Sequence, residues 1–140
     1  RQHKATIQAR LGRIEGLQFR RHTDEAGDSA TFFHLLMPNE EQARACVKLL
    51  GEAGIGVGYW YDNMFHYIKQ WDHVKNLSAP YKMVAHELGL PQDLKTIKFP
   101  KSDAVMSRLI SFNIRVTWTD AELNAMLDKM EGAVKQALLT

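Results

Sequence analysis

The sequence predicts an α+β fold: a small, mostly antiparallel sheet of about three strands with helices packed on one face. Three observations carry this expectation. Segments of helical and strand periodicity follow one another in the order α-β-β-α, then an irregular stretch, then β-α. Helix-start signals stand at Asn39 with Gln42 and at Thr119 with Glu122. The 140 residues, 45% hydrophobic and 24% charged, have the make-up of an average globular domain. That composition excludes disorder, collagen-like repeats and coiled-coil rods. A chain of this length buries roughly two thirds of its unfolded surface, enough for one core.

The elements follow in order. Ala5, Ile7, Leu11 and Ile14 recur at near-helical spacing, so residues 1–16 are expected to be helical, with Gly16 as the stop. The chain opens on Arg1-Gln2-His3-Lys4 with neither Met nor an N-cap residue. A helix already under way at residue 1 suggests the back portion of a longer protein. Leu17 to Arg20 alternates as a short strand, and Asp24 to Ser29 supplies turn chemistry around Gly27. Thr31 to Met37 is β-rich and dense, as in a central strand covered on both faces. Pro38 and Asn39 end it. Ala43, Cys46, Val47 and Leu50 then form one buried helical stripe, which makes Cys46 a core residue. Near the end, Ile110, Phe112, Ile114 and Val116 alternate with Ser111, Asn113 and Arg115 as a half-buried strand. Leu123, Met126, Leu127, Met130 and Val134 occupy one face of the last helix, where the methionines are packing residues.

Charge and cysteine content narrow the function. Eighteen Lys+Arg against 16 Asp+Glu leave a net charge of +2, and no Lys/Arg run exceeds two residues. Nucleic-acid binding through a strong basic field is therefore unsupported. One cysteine forms no internal disulfide, so a reducing, cytoplasmic setting is expected. No apolar run approaches the roughly 20 residues that cross a bilayer.

The motifs of common chemistries are incomplete. Gly54-Ile-Gly56-Val-Gly58 lacks the dinucleotide-binding spacing and follows a helix, so it reads as a helix-to-strand connection. His66, Asp72 and His73 lack the spacing of a zinc site, and no metal is expected. No G-x-S-x-G elbow and no identifiable carboxylate pair are present. What stands out is residues 51–100, where periodicity fades. Tyr59, Trp60, Tyr61, Phe65, Tyr67, Trp71 and Tyr81 are mixed there with His66, Lys69, Asp72 and His73. Pro80 to Leu88 is expected as a short helix ended by Gly89. Long irregular segments in compact domains are often functional, so the site is expected here.

Gly54-Ile55, Tyr61 and His66 fall in the pattern G-I-x5-Y-x4-H, which resembles the C-terminal domain of DegT/DnrJ/StrS-type sugar aminotransferases. Pro100, Asp103, Arg108 and Ser111 resemble that family's P-x-x-E-x4-R-x-L/I-S segment, and Thr119 to Glu122 its following T-x-x-E. Arg1 through Leu17 looks like the long helix leading out of the large domain. The resemblance spans essentially the whole chain in the right order. Asp103 replaces the usual glutamate, Asn113 replaces a common proline, and the aromatic stretch is richer than in nucleotide-sugar members. The closest branch aminates 8-deoxy-8-oxo-octulosonate to 8-amino-3,8-dideoxy-octulosonate for lipopolysaccharide.

The resemblance implies a fold-type-I enzyme that uses pyridoxal 5'-phosphate, with glutamate as amino donor and a keto or aldehyde sugar as acceptor. The Schiff-base lysine and most of the cofactor site belong to a large domain outside these 140 residues. This domain then supplies one wall of the active site and part of a homodimer interface, without catalysis of its own. Tyr61, His66 and Asn63 are implied as substrate-binding, through hydrogen bonds to sugar hydroxyls. Arg108 is implied as the partner of a substrate carboxylate. Trp60 and Trp71 are placed near the same cavity. Two alternatives stand beside this expectation: a sugar 3-dehydratase of the same family, and a stand-alone sugar-binding module using the aromatic loop.

Overall fold

The structure is a computed structural model describing residues 1–78, 80–89 and 95–140. Helix α1 spans Gln2–Leu11, strand β1 Gln18–Phe19, strand β2 Phe32–Leu36 and helix α2 Glu40–Glu52. Two 3-10 turns, Trp60–Asp62 and Ile68–Gln70, precede the short helices α3 (Asp72–Lys75), α4 (Val84–Glu87) and α5 (Pro100–Met106). Strand β3 (Leu109–Asn113) and helix α6 (Asp120–Ala137) follow. The sheet has three strands in the order β1-β2-β3, and both pairings are antiparallel. The expected α+β architecture is the one observed.

Local chemistry explains the helix starts. The Asn39 side chain accepts the Gln42 amide N–H at 2.8 Å, with Glu40 and Glu41 against the positive end of the helix. Thr119 and Glu122 form a reciprocal capping box at the start of α6. Pro100 opens α5, where its missing N–H has no helical partner to lose.

Register places the core. Phe33 lies opposite Phe112 and Leu35 opposite Ile110, so these four share one sheet face. They pack with Ile7 and Leu11 of α1, Cys46 and Leu50 of α2, and Leu127 and Met130 of α6. Cys46 is fully buried, and burial pushes its thiol up to about 12.

Five local expectations are corrected. Helix α1 stops at Leu11 instead of continuing to residue 16, because Gly12 closes it and the chain turns. Gly16 adopts a φ of 84°, a left-handed conformation that glycine takes without strain, to enter β1. Ile14 still reaches the core from that turn. Strand β2 is central but covered on one face: Phe33 and Leu35 are buried, while Phe32 is 47% exposed. Strand β3 ends at Asn113, leaving Val116 outside it and exposed. Ser111, expected to face outward, is only 3% exposed. The short helix expected over residues 80–88 is confined to Val84–Glu87, with Gly89 at φ 60° after it. No helix among the described residues is long and apolar enough to cross a membrane.

Candidate functional site

The aromatic segment is seated on β3 by a glycine. After α2, Gly54 reverses the chain at φ 79°. Gly58 then pairs with Ser111 in both directions, its N–H donating to the Ser111 carbonyl at 2.6 Å and its carbonyl accepting the Ser111 N–H at 2.9 Å. A Cβ at Gly58 would lie 2.9 Å from Ser111 Oγ, so the approach requires a residue without a side chain. Trp60 Nε1 donates to Ser111 Oγ at 2.6 Å, and Tyr59 Oη donates to the Ser107 carbonyl at 2.7 Å. These contacts bury Ser111. Burial also pushes the Tyr59 phenol up to about 12, so it stays a donor at neutral pH.

Helix α2 braces the same segment. Arg44 forks onto Asp62 at 2.5 and 3.0 Å and also bonds Glu40 at 2.9 Å. Its guanidinium carbon lies 5.2 Å from the Tyr59 ring centre and 5.9 Å from that of Tyr61. Tyr61 itself is buried. Lys69 Nζ donates to Tyr61 Oη at 2.5 Å and lies 4.7 Å from its ring centre. Tyr67 Oη donates to Asp103, and Lys69 Nζ lies 4.0 Å from the same carboxylate. The bond to Tyr61 raises the Lys69 pKa, with a smaller contribution from Asp103, so the amine is held as an ammonium. Burial first, and then Asp103, raises the Tyr67 phenol.

Asn63 organises the turn that presents His66. Its Oδ1 accepts the backbone N–H of Phe65 at 2.9 Å and of His66 at 3.0 Å, and lies 2.9 Å from His66 Nδ1. An oxygen already accepting two amides requires Nδ1 to carry the proton, which leaves Nε2 as the imidazole's other polar atom. The His66 ring is exposed and packs edge-on to Trp60, with centres 4.6 Å apart and planes at 78°.

Of the four residues implied as substrate-binding, Tyr61, Asn63 and His66 belong to this one unit. His66 offers an open polar edge, while the Tyr61 hydroxyl is engaged by Lys69. Arg108 stands apart from them. Its Nε donates to the Met37 carbonyl at 2.7 Å and its Nη2 to Gln18 Oε1 at 3.1 Å, tying the end of β3 to β1 and the residue after β2. A guanidinium so engaged ties strands together. Trp71 stacks with His73, with ring centres 6.0 Å apart. Sequence reasoning missed the Tyr67–Asp103–Lys69 contacts and the brace from Arg44. The i,i+4 spacing of Glu40 and Arg44 was the available signal for the latter.

Two clefts flank the segment. The larger, of 700 Å³, lies between the Gly54–Gly58 strip and the end of β3, with Phe32, Trp60, Arg115 and Trp118 in its walls. The smaller, of 460 Å³, has Ile68, Ile97 and Phe99 as apolar walls beside Lys69, Lys75 and Asp103. A lysine that forms an imine with pyridoxal phosphate needs a free amine, whereas Lys69 Nζ is engaged by Tyr61 Oη and the Asp103 carboxylate. Lys69 therefore does not fit the cofactor's attachment point. No group of three or more His, Cys, Asp or Glu able to hold a metal ion occurs among the described residues. No family model matches the chain.

Proposed function

We propose that the chain is the C-terminal small domain of a cytoplasmic, pyridoxal-phosphate-dependent sugar aminotransferase. The full enzyme moves an amino group from glutamate to a keto or aldehyde sugar, 8-deoxy-8-oxo-octulosonate or a nucleotide-linked keto sugar, for lipopolysaccharide or other surface-sugar synthesis. One observation carries the proposal. The two motif blocks of the resemblance, Gly54 to His66 and Pro100 to Ser111, meet through the Gly58–Ser111 pairing and the Trp60–Ser111 bond. Segments about fifty residues apart in sequence thus form one wall that presents His66.

In this reading the cofactor is held by the large domain of the same chain, and two such chains form a homodimer. The present residues bind and orient the sugar. His66 Nε2 meets a hydroxyl, Asn63 fixes the imidazole tautomer, and the Tyr59–Trp60–Tyr61 layer keeps that wall rigid. A second reading, a stand-alone sugar-binding module, is favoured by the 700 Å³ aromatic cleft.

Borohydride reduction of the intact native protein, followed by mass measurement, separates these readings. The aminotransferase predicts a mass far above 16.0 kDa carrying a pyridoxyl-lysine adduct outside these residues. Cofactor bound without an adduct in a large protein replaces it with the 3-dehydratase. A native species near 16.0 kDa without cofactor leaves the binding module.

A further inference from the structure

The larger cleft carries chemistry that the wall around His66 does not use. Phe32, Trp60 and Trp118 supply its aromatic surface, and Phe32 is 47% exposed although it sits on a central strand. Trp60 spends its N–H on Ser111, so what it offers a ligand is ring surface. Asn113 and Arg115 lie on the same rim and are exposed. Among the described residues, the Asn113 amide, the Arg115 guanidinium and the Trp118 indole N–H have no protein partner. Among the described residues that line the cleft, Arg115 is the only charged one. Its backbone is pinned from α1, where His3 Nδ1 meets the Arg115 carbonyl at 3.0 Å.

Aromatic rings beside unsatisfied donors match a sugar, whose C–H faces are apolar and whose rim is hydroxyl. A lone guanidinium among them matches a carboxylate, which it binds with two parallel N–H bonds. The volume, 700 Å³, suits a ligand larger than one hexose ring. Arg108 lies at the other end of β3, committed to Met37 and Gln18, and takes no part in this cleft. We propose that this cleft binds an acidic sugar, stacking it on Trp60, Trp118 and Phe32 and clamping its carboxylate with Arg115. The role of that sugar as the amino acceptor rests on the aminotransferase reading; the ligand chemistry of the cleft does not.

The test is isothermal titration of the intact native protein with 3-deoxy-octulosonate and with its methyl ester, which differ in the carboxylate charge. The acid is expected to bind at least about tenfold more tightly than the ester, the scale of a charge-assisted hydrogen bond. Arg115→Gln removes that preference, and Arg115→Lys restores part of it. Because Arg115 is exposed, the fold tolerates both changes, which unaltered thermal unfolding verifies. Equal affinity for acid and ester, no binding of either, or a preference that survives Arg115→Gln overturns the proposal. The two readings fail separately. An adduct-bearing aminotransferase whose acid preference ignores Arg115 overturns the cleft alone. An Arg115-dependent preference in a protein without adduct sustains the cleft and overturns the aminotransferase.

Discussion

Gly58 and Ser111 show how one position governs the candidate site. With a Cβ only 2.9 Å from Ser111 Oγ, Gly58→Ala has to move either the strand bridge or the serine that accepts from Trp60. A cost of about 1–3 kcal/mol is expected, as for other overpacked contacts. It is read from urea unfolding, with a red-shifted tryptophan emission as Trp60 loosens. An unchanged midpoint and spectrum would show that the glycine is incidental. Ser111 also marks where the sequence misleads. It occupies a polar position of an alternating strand and reads as solvent-facing. Its burial comes from a segment about fifty residues earlier, which no local pattern reveals. Arg108 is similar: nothing nearby in the chain announces that Met37 and Gln18 occupy its guanidinium.

At the scale of elements, what was legible was local. Caps and apolar stripes act within one or two turns, so α2, α6 and the central position of β2 could be read from spacing alone. Helix α1 was overextended because Ile14 keeps the apolar rhythm after the helix has ended, its burial coming from the turn at Gly12. The aromatic segment has no period of its own and is shaped by long-range braces. Chief among these is Arg44, which joins α2 to Asp62 and lies against Tyr59 and Tyr61. The pair is about half exposed, which limits its worth to about 1 kcal/mol even with the ring contacts. Arg44→Ala is accordingly expected to lower Tm by about 3–5 °C. Calorimetry checks this, and no shift would mean the segment stands without the brace.

For the whole molecule, the shifted carboxyl groups move in one direction. The Asp28 carboxyl is held below the usual range by Lys4 and then by the Ala30 N–H. Glu122 is held down by Thr119, and Glu131 by Lys135 and then Arg10. A depressed carboxyl pKa stabilises the fold above the unfolded value, and the contribution is lost as pH falls through the folded value. His34 adds an earlier step. Burial, and then the nearby positive charges of Arg20, His22 and Lys4, lower its pKa below 6.5. The unfolded chain therefore takes up this proton first, and stability declines from about pH 6.5 downward. Denaturant midpoints from pH 8 to pH 3 are expected to fall in two stages. His34→Gln is expected to flatten the upper stage alone; a midpoint constant between pH 7 and pH 5 in the parent protein would contradict this.

The sheet has a further consequence, concerning how copies of the chain meet at high concentration. An edge strand with a long row of open amides invites another chain to pair with it, the step from which ordered aggregates grow. Strand β1 is only two residues long, and the opposite edge at Ser111 is already occupied by Gly58. Each margin thus offers an incoming strand little to zip against. Self-association of this fold has to proceed through side-chain surfaces, and lengthening the sheet from copy to copy is disfavoured by its own borders.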